Sequence, residues 1–274
     1  MTIKHGKETG VLNLSRLKQI LSSKRLVCLV GYGLSEEAGI PHFHDILSGV
    51  WSSAPRNIDP FDHGYGCTTV VSWFDWRRQL INKKDRSGYF QAILELKHSL
   101  KNMLVATQTV DGQLRLAGLL DVRELYGNIF KGRCCKCGNE GEISERIVCV
   151  ACGGRILPDV SVFGWNQKTE TLQTVQSAVN AAEAIILVGT DPSLAPLQEL
   201  YATNHTCQIL EVVPNRFSLS DRSILLKATT SELSDQKKME HEIHVSPPGG
   251  HSICDSVKFL SQLVKEMQQG EQPC

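Results

Sequence analysis

Leu26-Val27-Cys28-Leu29-Val30-Gly31-Tyr32-Gly33-Leu34-Ser35-Glu36-Glu37-Ala38 opens with five apolar residues and turns on two glycines. Five consecutive apolar residues bounded by glycine predict a strand buried on both faces, the habit of a parallel sheet. A Gly-x-Gly turn leading into Ser35-Glu36-Glu37-Ala38 predicts a helix, and strand, glycine turn and helix together open a nucleotide-binding βα unit. The same grammar recurs along the chain. Met103–Thr107, Ala184–Val188 and Gln208–Val213 are short buried strands. Leu12–Leu21, Val70–Asn82, Tyr89–Lys101, Gln173–Ala182, Leu194–Ala202 and Ile253–Gln268 have helical spacing. Strands alternating with helices predict an α/β fold with a parallel sheet covered on both faces. Arg216–Glu240 is polar and ends in a charged run, so it reads as a loop or insertion.

The bulk composition narrows the functional classes. The chain has 274 residues, 41% hydrophobic and 21% charged, with a formal net charge of +0. A neutral chain has no general electrostatic grip on nucleic acid or an anionic membrane. No apolar run approaches the ~20 residues of a membrane helix. Met1–Leu12 is polar and lacks an apolar signal core, which predicts an intracellular, cytoplasmic protein. Of ten cysteines, five lie between Cys134 and Cys152; Cys28, Cys67, Cys207, Cys254 and Cys274 are scattered. Such clustering points to a metal in a reducing compartment, not to a disulfide framework.

Cys134-x2-Cys137 and Cys149-x2-Cys152 are two knuckles separated by eleven residues. Each sets two thiolates on one tight turn, and two such turns complete a tetrahedron around Zn2+. Four cysteines leave no open coordination position, so one structural zinc per chain is expected. The gap is short for a ribbon. Cys135, inside the first knuckle, is read as a bystander. His241, His244 and His251 have no partner pattern and are read as surface or loop residues.

These segments resemble a known family. Gly31-Tyr32-Gly33-Leu34-Ser35-Glu36-Glu37-Ala38-Gly39-Ile40-Pro41-His42-Phe43-His44 is similar to the sirtuin signature GAGISxxSGIPDFR. Thr107-Gln108-Thr109-Val110-Asp111-Gly112 resembles TQNIDG, and Glu124-Leu125-Tyr126-Gly127 resembles ELHG. Pro158–Gly164 after the cysteines resembles the PDVVxFGE exit, and Val188-Gly189-Thr190-Asp191 with Pro196 resembles VGTSLxVxP. The motifs keep the family order over residues 26 to about 200.

The resemblance implies a single domain over residues 12–266. Its large Rossmann-like lobe would hold 12–44, 101–130 and 166–266. Its small lobe would hold a helical segment (45–100) and the four-cysteine zinc ribbon (131–165). NAD and an acyl-lysine peptide or protein would meet between the lobes. Residues carried over to the cofactor site are Gly31, Tyr32, Gly33, His42, His44, Gln108, Thr109, Asp111, Gly189, Thr190 and Asp191. Asp111 matches a residue that contacts the nicotinamide amide.

In the family, the acyl oxygen displaces nicotinamide from the ribose and a histidine then acts as general base. That histidine position is Tyr126 here, a catalytic position with a poor base: a phenol pKa is near ~10, an imidazole near ~6.5. Further departures are Thr109 for asparagine, His42 and His44 for aspartate and arginine, Tyr32 for alanine, Asp191 for serine and Trp165 for glutamate. His42 and His44 read either as replacement proton-transfer groups or as packed or solvated residues. Broad-acyl members carry a Tyr-x-x-Arg pair, for which Phe74 and Arg77, or Trp73 and Trp76, are alternatives to a plain packing helix. Three functional readings follow: an NAD- and zinc-binding relative of the deacylases with weak or no deacylase activity, an active deacylase with rewired residues, and a mono-ADP-ribosyltransferase.

Overall fold

The computed structural model describes residues 14–40, 67–82, 87–143, 148–161, 169–190, 207–212, 242–244 and 253–270. The expected helix Leu194–Ala202 and loop Arg216–Glu240 lie outside them, as do His42, His44, Asp191, Trp165, His241 and His251. The side chain of Trp73 lies outside them too.

Six strands form one parallel sheet: β1 (Leu26–Val30), β2 (Leu104–Thr107), β3 (Arg123–Glu124), β7 (Ala184–Val188), β8 (Gln208–Val212) and β9 (Glu242–His244). Their order is β3-β2-β1-β7-β8-β9. The chain runs outward from β1 in one direction through β2 and β3, then returns to the other side of β1 for β7, β8 and β9. The strand order therefore reverses between β1 and β7, and the crevice beyond the carboxyl ends there is where open α/β sheets bind ligands. His244, expected on the surface or in a loop, belongs to β9 and pairs in register with Glu211.

All five residues of β1 and all five of β7 are buried. Alternation divides them between two apolar layers. Leu26, Cys28 and Val30 with Ala184, Ile186 and Val188 face the larger layer, built with α1 (Leu14–Leu21), α2 (Tyr32–Glu37), α3 (Cys67–Asn82), α4 (Ser87–Ser99) and α7 (Ile253–Gly270). Val27, Leu29, Ile185 and Leu187 face the smaller layer, with Val175 and Val179 of α6 (Thr169–Asn180). Helix α4 packs along α7 and against α5 (Gln113–Leu116). The Glu37 carboxylate accepts the backbone N–H groups of Ile253 (2.5 Å) and Cys254 (3.2 Å), so an acid remote in sequence caps the start of α7.

A second, antiparallel sheet has the order β5-β4-β6, with β4 (Gly127–Cys134), β5 (Glu140–Glu142) and β6 (Ile156–Val160). Helix α3 packs on β4 and β6, and Arg78 Nη1 donates to the Ile129 carbonyl at 2.8 Å. Among the described residues, no helix is long and apolar enough to cross a membrane.

The tightest approach in the parallel sheet lies at the switch point. A Cβ on Gly31 would overlap the Gly189 carbonyl oxygen and Thr190 Cα, and would stand 2.8 Å from Thr190 N. Backbone cannot withdraw from such a clash cheaply. Gly31→Ala is expected to cost about 2–3 kcal/mol in urea unfolding. Gly88→Ala is the control. Its site in the first turn of α4 is open, with nothing within 4 Å of an added Cβ, so Gly88→Ala should leave stability nearly unchanged.

Candidate cofactor cleft and metal centre

Backbone hydrogen bonds lace the carboxyl ends of three central strands together. Gly31 N donates to the Val188 carbonyl (2.8 Å), Gly33 N to that of Gly189 (2.9 Å), and Gln108 N to that of Val30 (2.9 Å). Gly31, Gly33 and Gly189 thus line one glycine seam, packed on one side by the Ile253 side chain, and Gly189 has φ +57, a conformation that favours glycine. Tyr32, between the first two, is half-buried.

Two polar side chains at this edge are buried and lack a partner among the described residues. Gln108, 8% exposed, leaves both its amide nitrogen and its amide oxygen unpaired; Thr190, 1% exposed, leaves its hydroxyl unpaired. Buried polar groups are normally hydrogen-bonded, so each such group needs a reason. A bound ligand rich in donors and acceptors supplies one. The glycine seam and these unpaired groups fit a dinucleotide.

Asp111 is the charged centre of the same edge. It is 2% exposed. Its Oδ2 accepts the Ser35 hydroxyl at 2.6 Å; its Oδ1 accepts the Thr109 hydroxyl at 3.2 Å and Gln113 N at 3.1 Å. Thr109 is itself held inward, since its N–H donates to Thr107 Oγ1 at 3.0 Å. Arg77 on α3 is 5% exposed and near enough for its charge to be favoured by that of Asp111. Burial pulls its pKa down to about 10 while Asp111 opposes the fall, so the guanidinium stays cationic at neutral pH. Phe74, one turn earlier, is 3% exposed and lies in the larger core layer, and Trp76 packs partly buried against that layer.

Tyr126 sits between β3 and β4. Its carbonyl accepts Ser161 N at 2.8 Å. The ring is half-buried and packs against the smaller core layer. Burial raises the phenol to about 12.

The structure brings Gly31, Tyr32, Gly33, Gln108, Thr109, Asp111, Gly189 and Thr190 to one end of the sheet. His42, His44 and Asp191 lie outside the described residues. Sequence reasoning did not single out Ser35 or the charge relation of Arg77 to Asp111. Ser35 had a signal, as the serine of its glycine motif. Arg77 feels the charge of an acid 34 positions further along the chain, and no local pattern announces such a relation.

The four expected metal ligands converge. The sulfurs of Cys134, Cys137, Cys149 and Cys152 all lie within 4.8 Å of one another, with Cys134–Cys152 at 3.5 Å and Cys137–Cys149 at 3.7 Å. A tetrahedron with zinc–sulfur bonds of about 2.3 Å has edges of roughly 3.8 Å, so the spacing fits zinc. Backbone N–H groups point at the sulfurs: Lys136 N to Cys134 and Gly154 N to Cys152, each at 3.4 Å. A Cβ on Gly154 would stand 2.8 Å from the Cys134 sulfur, so the second knuckle needs its glycine. The Cys137 and Lys136 N–H groups lower the Cys134 thiol to about 6. Gly154 N–H favours the Cys152 thiolate too, but the neighbouring Cys137 and Cys134 thiols outweigh it and push Cys152 up to about 12. Four thiolates in this space need a divalent cation, which would ionise all of them. Cys135 is exposed, away from the cluster.

Comparison with known proteins places these features together. The Sir2 family model matches residues 31–196. An NAD-dependent protein deacylase of Aquifex aeolicus is 32% identical over 225 residues, 77% of this chain and 93% of the relative. NAD-dependent protein deacylase 1 of Caldanaerobacter subterraneus is 32% identical over 220 residues, 76% of this chain and 90% of the relative. A mutant Sir2 homologue in complex with ADP-ribose superposes with a TM-score of 0.72 at 25% identity, covering 94% of this chain and 99% of that one. A Sir2 homologue–NAD complex shares the fold at a TM-score of 0.71 and 22% identity, covering 96% and 98% of the two chains.

Metal analysis of the purified protein is expected to find one zinc per chain. Cys149→Ser should lose that zinc and lower the melting temperature, because ribbon folding and metal binding are coupled. Cys135→Ser should keep both. Equal zinc content in the two variants would remove the four-cysteine assignment.

Proposed function

The chain belongs to the Sir2 family, and from that premise we propose that it binds NAD at the Gly31–Gly189 seam and a structural zinc in its ribbon, with weak or no deacylase activity. Residues 12–44, 101–130 and 166–266 form the nucleotide lobe on this reading, and 45–100 with 131–165 the smaller one. NAD supplies an electrophilic ribose carbon whose nicotinamide can leave. Gln108 and Thr190 would offer their unpaired groups to the dinucleotide, and Asp111, its oxygens fixed by Ser35, Thr109 and Gln113, would face the nicotinamide amide.

The observation that carries the low-activity reading is Tyr126. It stands at the position of the family's general base, and its phenol is held at about 12 by burial. Almost none of it is ionised at neutral pH, so it can donate a hydrogen bond but takes up no proton. Loss of a general base typically costs roughly 10²–10⁴-fold in rate. The relatives named NAD-dependent protein deacylases favour a second reading, an active deacylase acting on acyl-lysine proteins, with His42 and His44 as the candidate replacements.

Calorimetry with NAD and a nicotinamide-release assay with an acetyl-lysine peptide separate the readings. The expected result is saturable NAD binding with little deacylated peptide, and no inflection from residue 126 between pH 6 and 9. Tyr126→His is expected to raise deacylation at least roughly 10²-fold, with a new inflection near pH ~6.5. Deacylation by the unaltered chain that Tyr126→Phe leaves unchanged would overturn the low-activity reading. Transfer of ADP-ribose to the peptide would identify a mono-ADP-ribosyltransferase.

A further inference from the structure

We propose that Glu124 is a positioning residue whose buried carboxylate clamps the start of the ribbon strand β4 onto the loop that carries Asp111, and so sets where Asp111 stands at the nucleotide edge. Its consequence for binding rests on the NAD reading above; the clamp itself does not.

Glu124 ends the edge strand β3, in register with Thr107 of β2. Its side chain is 8% exposed. Oε1 accepts the Asn128 amide at 2.5 Å, and Oε2 accepts Arg115 Nε at 3.1 Å and Lys131 Nζ at 2.9 Å. These three donors belong to different pieces of structure. Arg115 is on α5, the short helix that follows Asp111; Asn128 and Lys131 are on β4, which leads to Cys134. One carboxylate therefore holds the helix after Asp111 and the strand that enters the cysteine ribbon.

The hold reaches Asp111 through direct contacts. Asn128 is 3% exposed and spends its Oδ1 on Phe130 N at 2.8 Å, so its amide plane is fixed at both ends. That amide lies against Gly112, where a Cβ would stand 2.9 Å from Asn128 Oδ1 and where φ is +67. Beside it, Ile129 N donates to the Val110 carbonyl at 2.9 Å. Val110 and Gly112 flank Asp111, and the next residue, Gln113, donates its N–H to the Asp111 carboxylate. Glu124, Asn128, Gly112 and Asp111 thus form a continuous run of contacts. Removing the charge at 124 frees the partly exposed Arg115 and Lys131 to turn to water and weakens the anchor of the Asn128 amide. The loop then keeps its sequence but loses its fixed seat.

The test uses the full zinc-bound chain with Glu124→Gln, Asn128→Ala and the double variant. Amide hydrogen exchange at Gln113 and Ile129 is expected to quicken roughly tenfold in each single variant and little further in the double, while Leu29 and Ile186 at the sheet centre keep their wild-type rates. NAD is expected to bind roughly tenfold more weakly to Glu124→Gln, with AMP affinity unchanged. A general loosening would weaken both ligands. Unchanged exchange at Gln113 and Ile129, or an equal rise at the sheet centre, overturns the clamp. Faster exchange with unaltered NAD affinity overturns its positioning role. If the unaltered chain does not bind NAD, the nucleotide reading falls and exchange alone decides the clamp. Should Asn128→Ala fail to fold, Glu124→Gln decides.

Discussion

A buried carboxylate has to be matched by its surroundings, and Asp111 shows how much structure that demand organises. An isolated charge taken out of water is far too costly for a marginally stable domain. At 2% exposure Asp111 meets the cost with two hydroxyl donors, one backbone N–H and the nearby charge of Arg77. The hydrogen-bond donors come from α2, from the β2–α5 turn and from the start of α5. Each of those segments is fixed in place by the same acid. Ser35 supplies the shortest of the bonds, at 2.6 Å, and the Asp111 charge offsets part of the cost of burying Arg77.

The seam beside it obeys a different constraint, steric rather than electrostatic. Gly31 packs against Gly189 and Thr190, and Gly189 against Gly33, so closely that neither glycine can carry a side chain, and that closeness makes the switch point between β1 and β7 a contact of backbone on backbone. Asp111 then stands on one flank of this floor and Thr190 on the other. The metal ribbon leaves the sheet through β4 and returns through β6, both paired at Gly127–Val160 and Asn128–Asp159 before they reach the sulfurs. The glycine edge of the sheet and the ribbon are therefore joined by a short, hydrogen-bonded stem, and the stem begins beside the Asp111 loop.

What could be read from the sequence followed from the range of each signal. β1 and β7 were legible because burial on both faces forces unbroken apolar runs, Leu26–Val30 and Ala184–Val188. The ribbon was legible because metal ligation fixes ligand type and spacing, and Cys134, Cys137, Cys149 and Cys152 converge as their spacing suggested. Edge strands β3 and β9 were not. Two or three residues in length, they carry no periodicity, and their pairing is decided by neighbours far along the chain. His244 was read as a loop or surface residue for that reason. β4 escaped because Gly127–Cys134 alternates irregularly across a bulge between Asn128 and Gly132. At the site, glycine positions were local facts, whereas the relation of Arg77 to Asp111 and of Glu124 to Asn128 and Arg115 depends on tertiary placement.

Binding and chemistry in such a cleft draw on different atoms. The floor that would receive a dinucleotide is backbone and glycine, tolerant of change in any side chain that does not fill it. Proton abstraction depends on one side chain with a suitable pKa. On the proposed reading, a phenol at about 12 in place of an imidazole would remove the second without disturbing the first. The substitution also suits its surroundings. Tyr126 packs its ring against the smaller apolar layer, and a half-buried, uncharged phenol costs less there than an imidazolium that would have to ionise at each turnover. On the proposed reading, the packing that accommodates Tyr126 is the same packing that keeps it from acting as a base. On that reading, recovering chemistry requires a group that can be charged beside an apolar layer, and introducing one costs stability that the apolar contact now supplies.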